Sequence, residues 1–222
     1  MRGAMRKAIS TAAAVSVLVA VTFELSGSAA GAGDLPVVVY SYGPQSGAAT
    51  SVVVRGSSSD DEVLVQRVAN EATLRITNPG GVQSGQGCES IDAATADCVL
   101  YKPDQVVTSL SGGHDAFRMG SDEIRGNQVE GGAGSDHLSG GGRDDTLVGD
   151  SGSDQLIGGS GPDRLFGSDG HDELVGGPGD DRLHADDGMR DRAIKCGPGE
   201  RDVAVIDEID IHPQSCETVK VG

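Results

Sequence analysis

Six aspartates stand nine residues apart: Asp136, Asp145, Asp154, Asp163, Asp172 and Asp181. Carboxylates are hard oxygen donors, so a set that the fold drew together would hold a cation. Left apart, the same groups would only keep the chain soluble. What decides between these outcomes is the elements that carry them. Two residues after each aspartate comes a leucine (Leu138, Leu147, Leu156, Leu165, Leu174, Leu183), and Asn127 precedes Val129 in the same way. Each unit opens with glycine, at Gly131, Gly140, Gly149, Gly158, Gly167 and Gly176. Three columns in one phase make an internal repeat, and a disordered acidic linker would gain nothing from an apolar residue at every ninth place.

A strand such as Gln155-Leu156-Ile157 sends its middle side chain one way and its neighbours the other, so the leucines face inward. The residues between strands must turn the chain tightly, and glycine supplies the positive φ that such a course needs. Residues 34–110 read differently. Short β-branched runs at Val37–Tyr42, Ser51–Arg55, Glu62–Gln66, Thr73–Thr77, Cys98–Tyr101 and Val106–Leu110 are separated by Gly, Ser, Asn and Pro, most clearly at Asn78-Pro79-Gly80-Gly81. A β-rich N-terminal region is expected there.

Catalytic patterns are weak. Gly149-Asp150-Ser151-Gly152 echoes the nucleophile segment of trypsin-like proteases, but it fills places one to four of a phased repeat. The five histidines, His114, His137, His171, His184 and His212, show no H-E-x-x-H spacing, and the P-loop, the dinucleotide fingerprint and the EF-hand loop are missing. His137 and His171 are expected on the outer face. No catalytic residue is assigned, and the chain is not expected to be an enzyme.

As they stand, the units read GGAGSDHLS, GGGRDDTLV, GDSGSDQLI, GGSGPDRLF, GSDGHDELV and GGPGDDRLH. They resemble the repeats-in-toxin (RTX, hemolysin-type) nonapeptide, in which the fourth place is also glycine and the sixth is the calcium-binding aspartate. The resemblance is strict over residues 131–184 and loose over 113–192. Arg143 departs from it at a fourth place, and Asp150 and Ser168 depart at second places. It implies an all-β fold: a right-handed parallel β-roll, two units to a coil of 18 residues, preceded by the β-rich region and closed by a C-terminal cap.

On that coiling Asp136, Asp154 and Asp172 stack along one edge, and Asp145, Asp163 and Asp181 along the other. Stacked carboxylates repel, which disfavours the coil until a dication comes between them. Ca²⁺ suits the gap because it accepts ~6–8 oxygens in irregular geometry, whereas Mg²⁺ demands a strict octahedron. About four calcium positions are expected, between 136/154, 154/172, 145/163 and 163/181. Carbonyls of the glycine-rich stretches that begin at Gly131, Gly140, Gly149, Gly158, Gly167 and Gly176 would complete them. Arg143 brings a cation near 145/163, and Asp144 and Asp180 receive no role. Leucine burial alone is a poor match for the entropy of ordering so glycine-rich a segment, so metal is expected to drive folding.

The rest of the chain sets the compartment. Arg2, Arg6 and Lys7 precede an apolar run from Ala8 to Phe23 and then Ala30-Gly31-Ala32, the layout of a signal peptide over residues 1–32. The run is shorter than the ~20 residues a spanning helix needs. Its removal takes three basic groups and one acidic one, moving the formal net charge from −17 to −19. So acidic a protein repels nucleic acid and draws cations.

Cys88, Cys98, Cys196 and Cys216 make an even set that suits disulfides outside the cytosol. Of three connectivities, Cys88–Cys98 and Cys196–Cys216 join the pairs closest in sequence, and no C-x-x-C spacing favours zinc. The organisation expected is a signal peptide (1–32), a β-rich region (33–110), a calcium-binding β-roll (111–184) and a disulfide-stapled cap (185–222). The whole resembles secreted calcium-binding proteins of actinobacteria. A structural or adhesive monomer is the first reading, compatible with a cell-surface or matrix partner. A secretion or folding module derived from a larger extracellular enzyme or toxin is the alternative.

Overall fold

Strand follows strand, with no helix among the described residues. A computed structural model describes residues 37–42, 50–68, 73–84, 88–99, 103–120, 124 and 126–222. The expected signal peptide lies outside them. In chain order the strands begin with β1 (Val37–Tyr42), β2 (Thr50–Arg55), β3 (Glu62–Arg67), β4 (Thr73–Thr77), β5 (Val82–Ser84), β6 (Cys88–Asp92) and β7 (Thr95–Val99). Next come β8 (Pro103–Ser109), β9 (Ala116–Met119), β10 (Asn127–Ala133), β11 (His137–Gly142), β12 (Thr146–Gly152) and β13 (Gln155–Ser160). The last are β14 (Arg164–Gly170), β15 (Glu173–Val175), β16 (Arg182–Ala185), β17 (Ala193–Lys195), β18 (Val203–Ile206) and β19 (Thr218–Val221).

From β8 to β18 the strands alternate between two sheets, and each pairs in parallel with the strand one coil away. The result is a parallel β-solenoid of about six turns. Its first coil lies in the N-terminal region, where β2 pairs in parallel with β8 and β3 with β9. Around that coil the pairing turns antiparallel: β4, β7 and β6 extend one sheet, and β1 pairs antiparallel with β2 in the other. At the far end β18 and β19 continue the first sheet in parallel.

Strands β10 to β14 are longer than the three residues that the alternation alone demands. In the repeats they run through the leucine into the next unit, so that Gly141 still pairs with Gly159 and Gly132 with Asp150. Glycine lacks a side chain to interrupt this ladder. The hairpin strand expected at Cys98–Tyr101 is Thr95–Val99 instead, because Cys98 pairs with Cys88 on β6 and Ala96 with Ile76 on β4.

Inward positions form straight columns. On one sheet Val54, Thr108, Val129, Leu147, Leu165, Leu183 and Ala204 lie in register; on the other Val63, Phe117, Leu138, Leu156, Leu174 and Ile194 do. All of these are buried, and the repeat leucines entirely so. Stacked leucine on leucine in parallel register gives an apolar spine that needs no aromatics, which explains how three Phe and three Tyr suffice. Disulfides join Cys88 to Cys98 across β6 and β7, and Cys196 to Cys216 beside the last strands, as the sequence spacing suggested.

The turns use left-handed backbone at the second and fourth places of a unit, as at Gly159 (φ 116°) and Gly161 (φ 119°). All three departures from the repeat pattern fall at such places: Arg143 (φ 72°), Asp150 (φ 70°) and Ser168 (φ 66°). A side chain there costs ~1–2 kcal/mol, offset in part by the ~0.5–1 kcal/mol of extra backbone entropy that glycine would lose on folding. Ser168→Gly is therefore expected to stabilise the calcium-loaded protein by about 0.5–1 kcal/mol. Urea unfolding should show it as a higher midpoint at unchanged slope.

Candidate metal centre

Each repeat aspartate stands two residues before its leucine, so the alternation that buries the leucine buries the aspartate too. Asp136, Asp145, Asp154, Asp163, Asp172 and Asp181 are all 0 to 3 % exposed. At each one the main-chain ladder begins: the Asp136 carbonyl accepts the Gln155 N–H at 2.8 Å. The aspartate's own N–H faces a turn, and there the carboxylate of the next coil takes over. Asp136 N donates to Asp154 Oδ1, Asp154 N to Asp172 Oδ1, Asp145 N to Asp163 Oδ1 and Asp163 N to Asp181 Oδ1, each at 2.8 Å. The four loop pairs expected from the sequence are thus brought together.

The same bond runs on past the repeats. Along one edge it links Asp61, Asp115, Asp136, Asp154, Asp172, Asp191 and Asp210; along the other, Asn127, Asp145, Asp163, Asp181, Asp202 and Glu217. Asp61, Asp115, Asp191, Asp202, Asp210 and Glu217 escaped the sequence reading. An aspartate-x-apolar pattern was there to find three of them, as Asp61-Glu62-Val63, Asp115-Ala116-Phe117 and Asp202-Val203-Ala204. Their coils are 54, 21 and 21 residues long, against 18 inside the array, so a nine-residue period passes over them.

The second carboxylate oxygen is left over. Oδ2 of each of the six repeat aspartates is buried and meets no hydrogen-bond donor among the described residues. It lies against the first glycine of its own unit: a methyl group on Gly149 would overlap Asp154 Oδ2 and lie 2.7 Å from the Gly167 carbonyl oxygen. Gly140, Gly158 and Gly176 are confined in the same way, each between its own aspartate and a carbonyl of the next coil. First-place glycines are therefore there for space, while the second and fourth places supply the positive φ. Among the described residues no three His, Cys, Asp or Glu side chains gather at one point. What gathers is a carboxylate oxygen with main-chain carbonyls.

Residues 130–165 and 157–188 match the family described as RTX calcium-binding nonapeptide repeat (4 copies). These residues are RTX repeats. Comparison with curated proteins and with solved structures found no match. RTX nonapeptide repeats bind Ca²⁺, about four ions for this array. The residues fit that ion. Each RTX turn offers one anionic oxygen without a donor and neutral carbonyls beside it, a hard, all-oxygen set such as Ca²⁺ accepts.

Electrostatics in the RTX turns follow from burial. Desolvation pushes the carboxyls of Asp145 and Asp154 up to about 7, Asp163 to about 8, and Asp172 and Asp181 to about 6. Asp136 is raised for the same reason. The coil-to-coil N–H bond pulls each of them down, and the neighbouring carboxylates add a smaller push upward, as at Asp163 beside Asp145 and Asp181. Repulsion between stacked carboxylates, expected to be the main obstacle to coiling, is secondary because Oδ1 is already occupied by a backbone donor. The main cost is taking a charged oxygen out of water.

Other residues singled out in the sequence settle elsewhere. Ser151 sits exposed near the end of β12, paired with Ala133 on β10, and its carbonyl accepts the Gly134 N–H, so the protease-like segment is part of the coil-to-coil ladder. His171 is exposed, its Nδ1 2.7 Å from the Arg190 carbonyl, and His137 is half-buried on an outward position of β11. Asp180, assigned no role, pairs with Arg201 through two hydrogen bonds of 2.9 and 2.6 Å.

Two outcomes are expected. A folded-state pKa raised above the unfolded value gives stability that is present at low pH and lost as pH rises through about 6 to 8. In calcium-free buffer, circular dichroism should therefore show β structure gained as pH falls from about 8.5 to about 5.5, while calcium affinity weakens over the same interval as protons compete. Gly149→Ala must displace either Asp154 or the next coil, and should cost about 1–3 kcal/mol in calcium-saturated thermal unfolding.

Proposed function

We propose that this is a secreted, non-catalytic calcium-binding protein whose RTX coils order when Ca²⁺ enters their turns after export. The observation that carries the reading is the column of buried Oδ2 atoms without donors. An ionised oxygen so placed is costly until a cation or a proton meets it. Asp136, Asp145, Asp154, Asp163, Asp172 and Asp181 would hold the ions, with carbonyls of the turns that begin at Gly131, Gly140, Gly149, Gly158, Gly167 and Gly176. Bound calcium supplies charge neutralisation and cross-links adjacent coils. The chain's own residues position the donors, exclude water and fix the register.

Export is supported by the signal-like residues 1–32 and by two disulfides, which suit an oxidising compartment. Extracellular calcium modules bind with Kd of ~0.1–1 mM, so the coil would stay open in a low-calcium cytosol and close outside. In this reading residues 33–110 and 185–222 flank the roll of 111–184 as a β-rich start and a stapled end. The protein serves as a structural or adhesive monomer.

Circular dichroism of the mature chain at neutral pH during a calcium titration tests the reading. Wild type should gain β signal with calcium, and Asp154→Ala/Asp163→Ala should gain far less at the same concentration. Equal, full β signal in chelator and in calcium would overturn it.

A further inference from the structure

Nine carboxylate oxygens, not six, are buried without a donor among the described residues. The additional three are Oδ2 of Asp115, Asp191 and Asp202. Their residues are 2, 1 and 0 % exposed, as deep as the repeat aspartates. None lies within the matched residues 130–188. Each is joined to the array by the coil-to-coil bond of the repeats: Asp115 N to Asp136 Oδ1 at 2.8 Å, Asp172 N to Asp191 Oδ1 at 2.8 Å, and Asp181 N to Asp202 Oδ1 at 2.7 Å.

The turns around them copy the repeat turn on different sequences. Ser111 (φ 81°) and Gly113 (φ 131°) hold the second- and fourth-place conformations ahead of Asp115. Before Asp202 the chain reads Cys196-Gly197-Pro198-Gly199, close to Gly176-Gly177-Pro178-Gly179 one coil earlier. A methyl group on Gly199 would overlap the Gly179 carbonyl oxygen and lie 2.5 and 2.7 Å from the two Asp202 oxygens, so a carboxylate and a carbonyl again share one corner. Asp191 lies among His171, Arg190, Arg192 and Ile211, none of which gives its Oδ2 a hydrogen bond.

Past these three, protein groups finish the column. Asp61 accepts Ser57 N at 2.7 Å, Ser57 Oγ at 3.1 Å and Asn78 Nδ2 at 3.0 Å. Asp210 Oδ2 accepts Asp207 N at 2.7 Å. On the other edge Asn127 carries no charge, and its Nδ2 donates to Asp145 Oδ1 at 2.9 Å and to the Gly140 carbonyl at 3.0 Å. The orphaned oxygens thus mark out one unbroken stretch on each edge, from Asp115 to Asp191 and from Asp145 to Asp202.

We infer that three calcium positions lie outside the nonapeptide array, between Asp115 and Asp136, Asp172 and Asp191, and Asp181 and Asp202. With the four inside the array the solenoid holds seven. The inference rests on the calcium-binding reading above and extends it to both ends of the roll.

The test is the calcium content of the full mature chain, by equilibrium dialysis and elemental analysis at saturating calcium and physiological ionic strength. The variant is Asp115→Asn/Asp191→Asn/Asp202→Asn. Asparagine keeps the side-chain shape and already occupies the column at position 127. Wild type should hold about seven ions and the variant about four, a difference of three. A wild type that holds only about four needs no variant to overturn the inference, and leaves the calcium-binding reading standing. Seven ions in both proteins would overturn the assignment to these residues. A wild type that holds none would overturn both.

Discussion

A carboxylate that gives one oxygen to the backbone of the neighbouring coil is the contact on which this solenoid depends. Where each strand starts, the main chain has an N–H and no carbonyl to meet it, and Oδ1 of the next aspartate supplies the missing acceptor. The bond locks the stagger of adjacent coils at both edges. It also holds the other oxygen inside, away from water. Structure and ligand site are consequently the same group, and within the array, where no protein donor reaches the second oxygen, the fold cannot use the aspartate for register without creating a need for positive charge.

The remaining inward positions follow from that choice. The aspartate carboxyl bends back across its own turn, so the residue that opens the unit must lack a side chain, which is why glycine recurs there. Leucine fills the space between the two edges, stacked on its counterparts above and below. The outer face is left free to vary. It carries paired side chains such as Gln155 with Glu173, Glu173 with Lys195, and the stacked rings of Phe166 and His184.

Inside the array the sequence was nearly transparent, because coil length never changes. A fixed period of nine named the inward aspartates and leucines, and the family resemblance turned them into stacked edges. Transparency ended where the loops change length. Asp115 and Asp191 continue one aspartate column and Asp202 the other, yet coils of 19 and 21 residues take them out of phase. The coil formed by β2 and β3 was hidden further, since four strands intervene before the chain returns at β8 to pair with it. No periodicity reaches across such an excursion. The division of labour among the glycines was not legible either, because a glycine needed for space and one needed for positive φ look alike in a sequence.

The two ends of the solenoid are unlike. At the amino-terminal end one edge carries Val52, Val106 and Asn127 where later coils carry acids, the other begins with Asp61, whose carboxylate is already met by Ser57 and Asn78, and Leu74 and Ile76 thicken the apolar interior. A coil built this way can set before any ion arrives. Because the ribosome makes it first, it presents a finished parallel rim to everything that follows. Each later turn can then be laid down on a preceding one, so that growth has a direction and the unordered remainder is only as long as the part not yet wound.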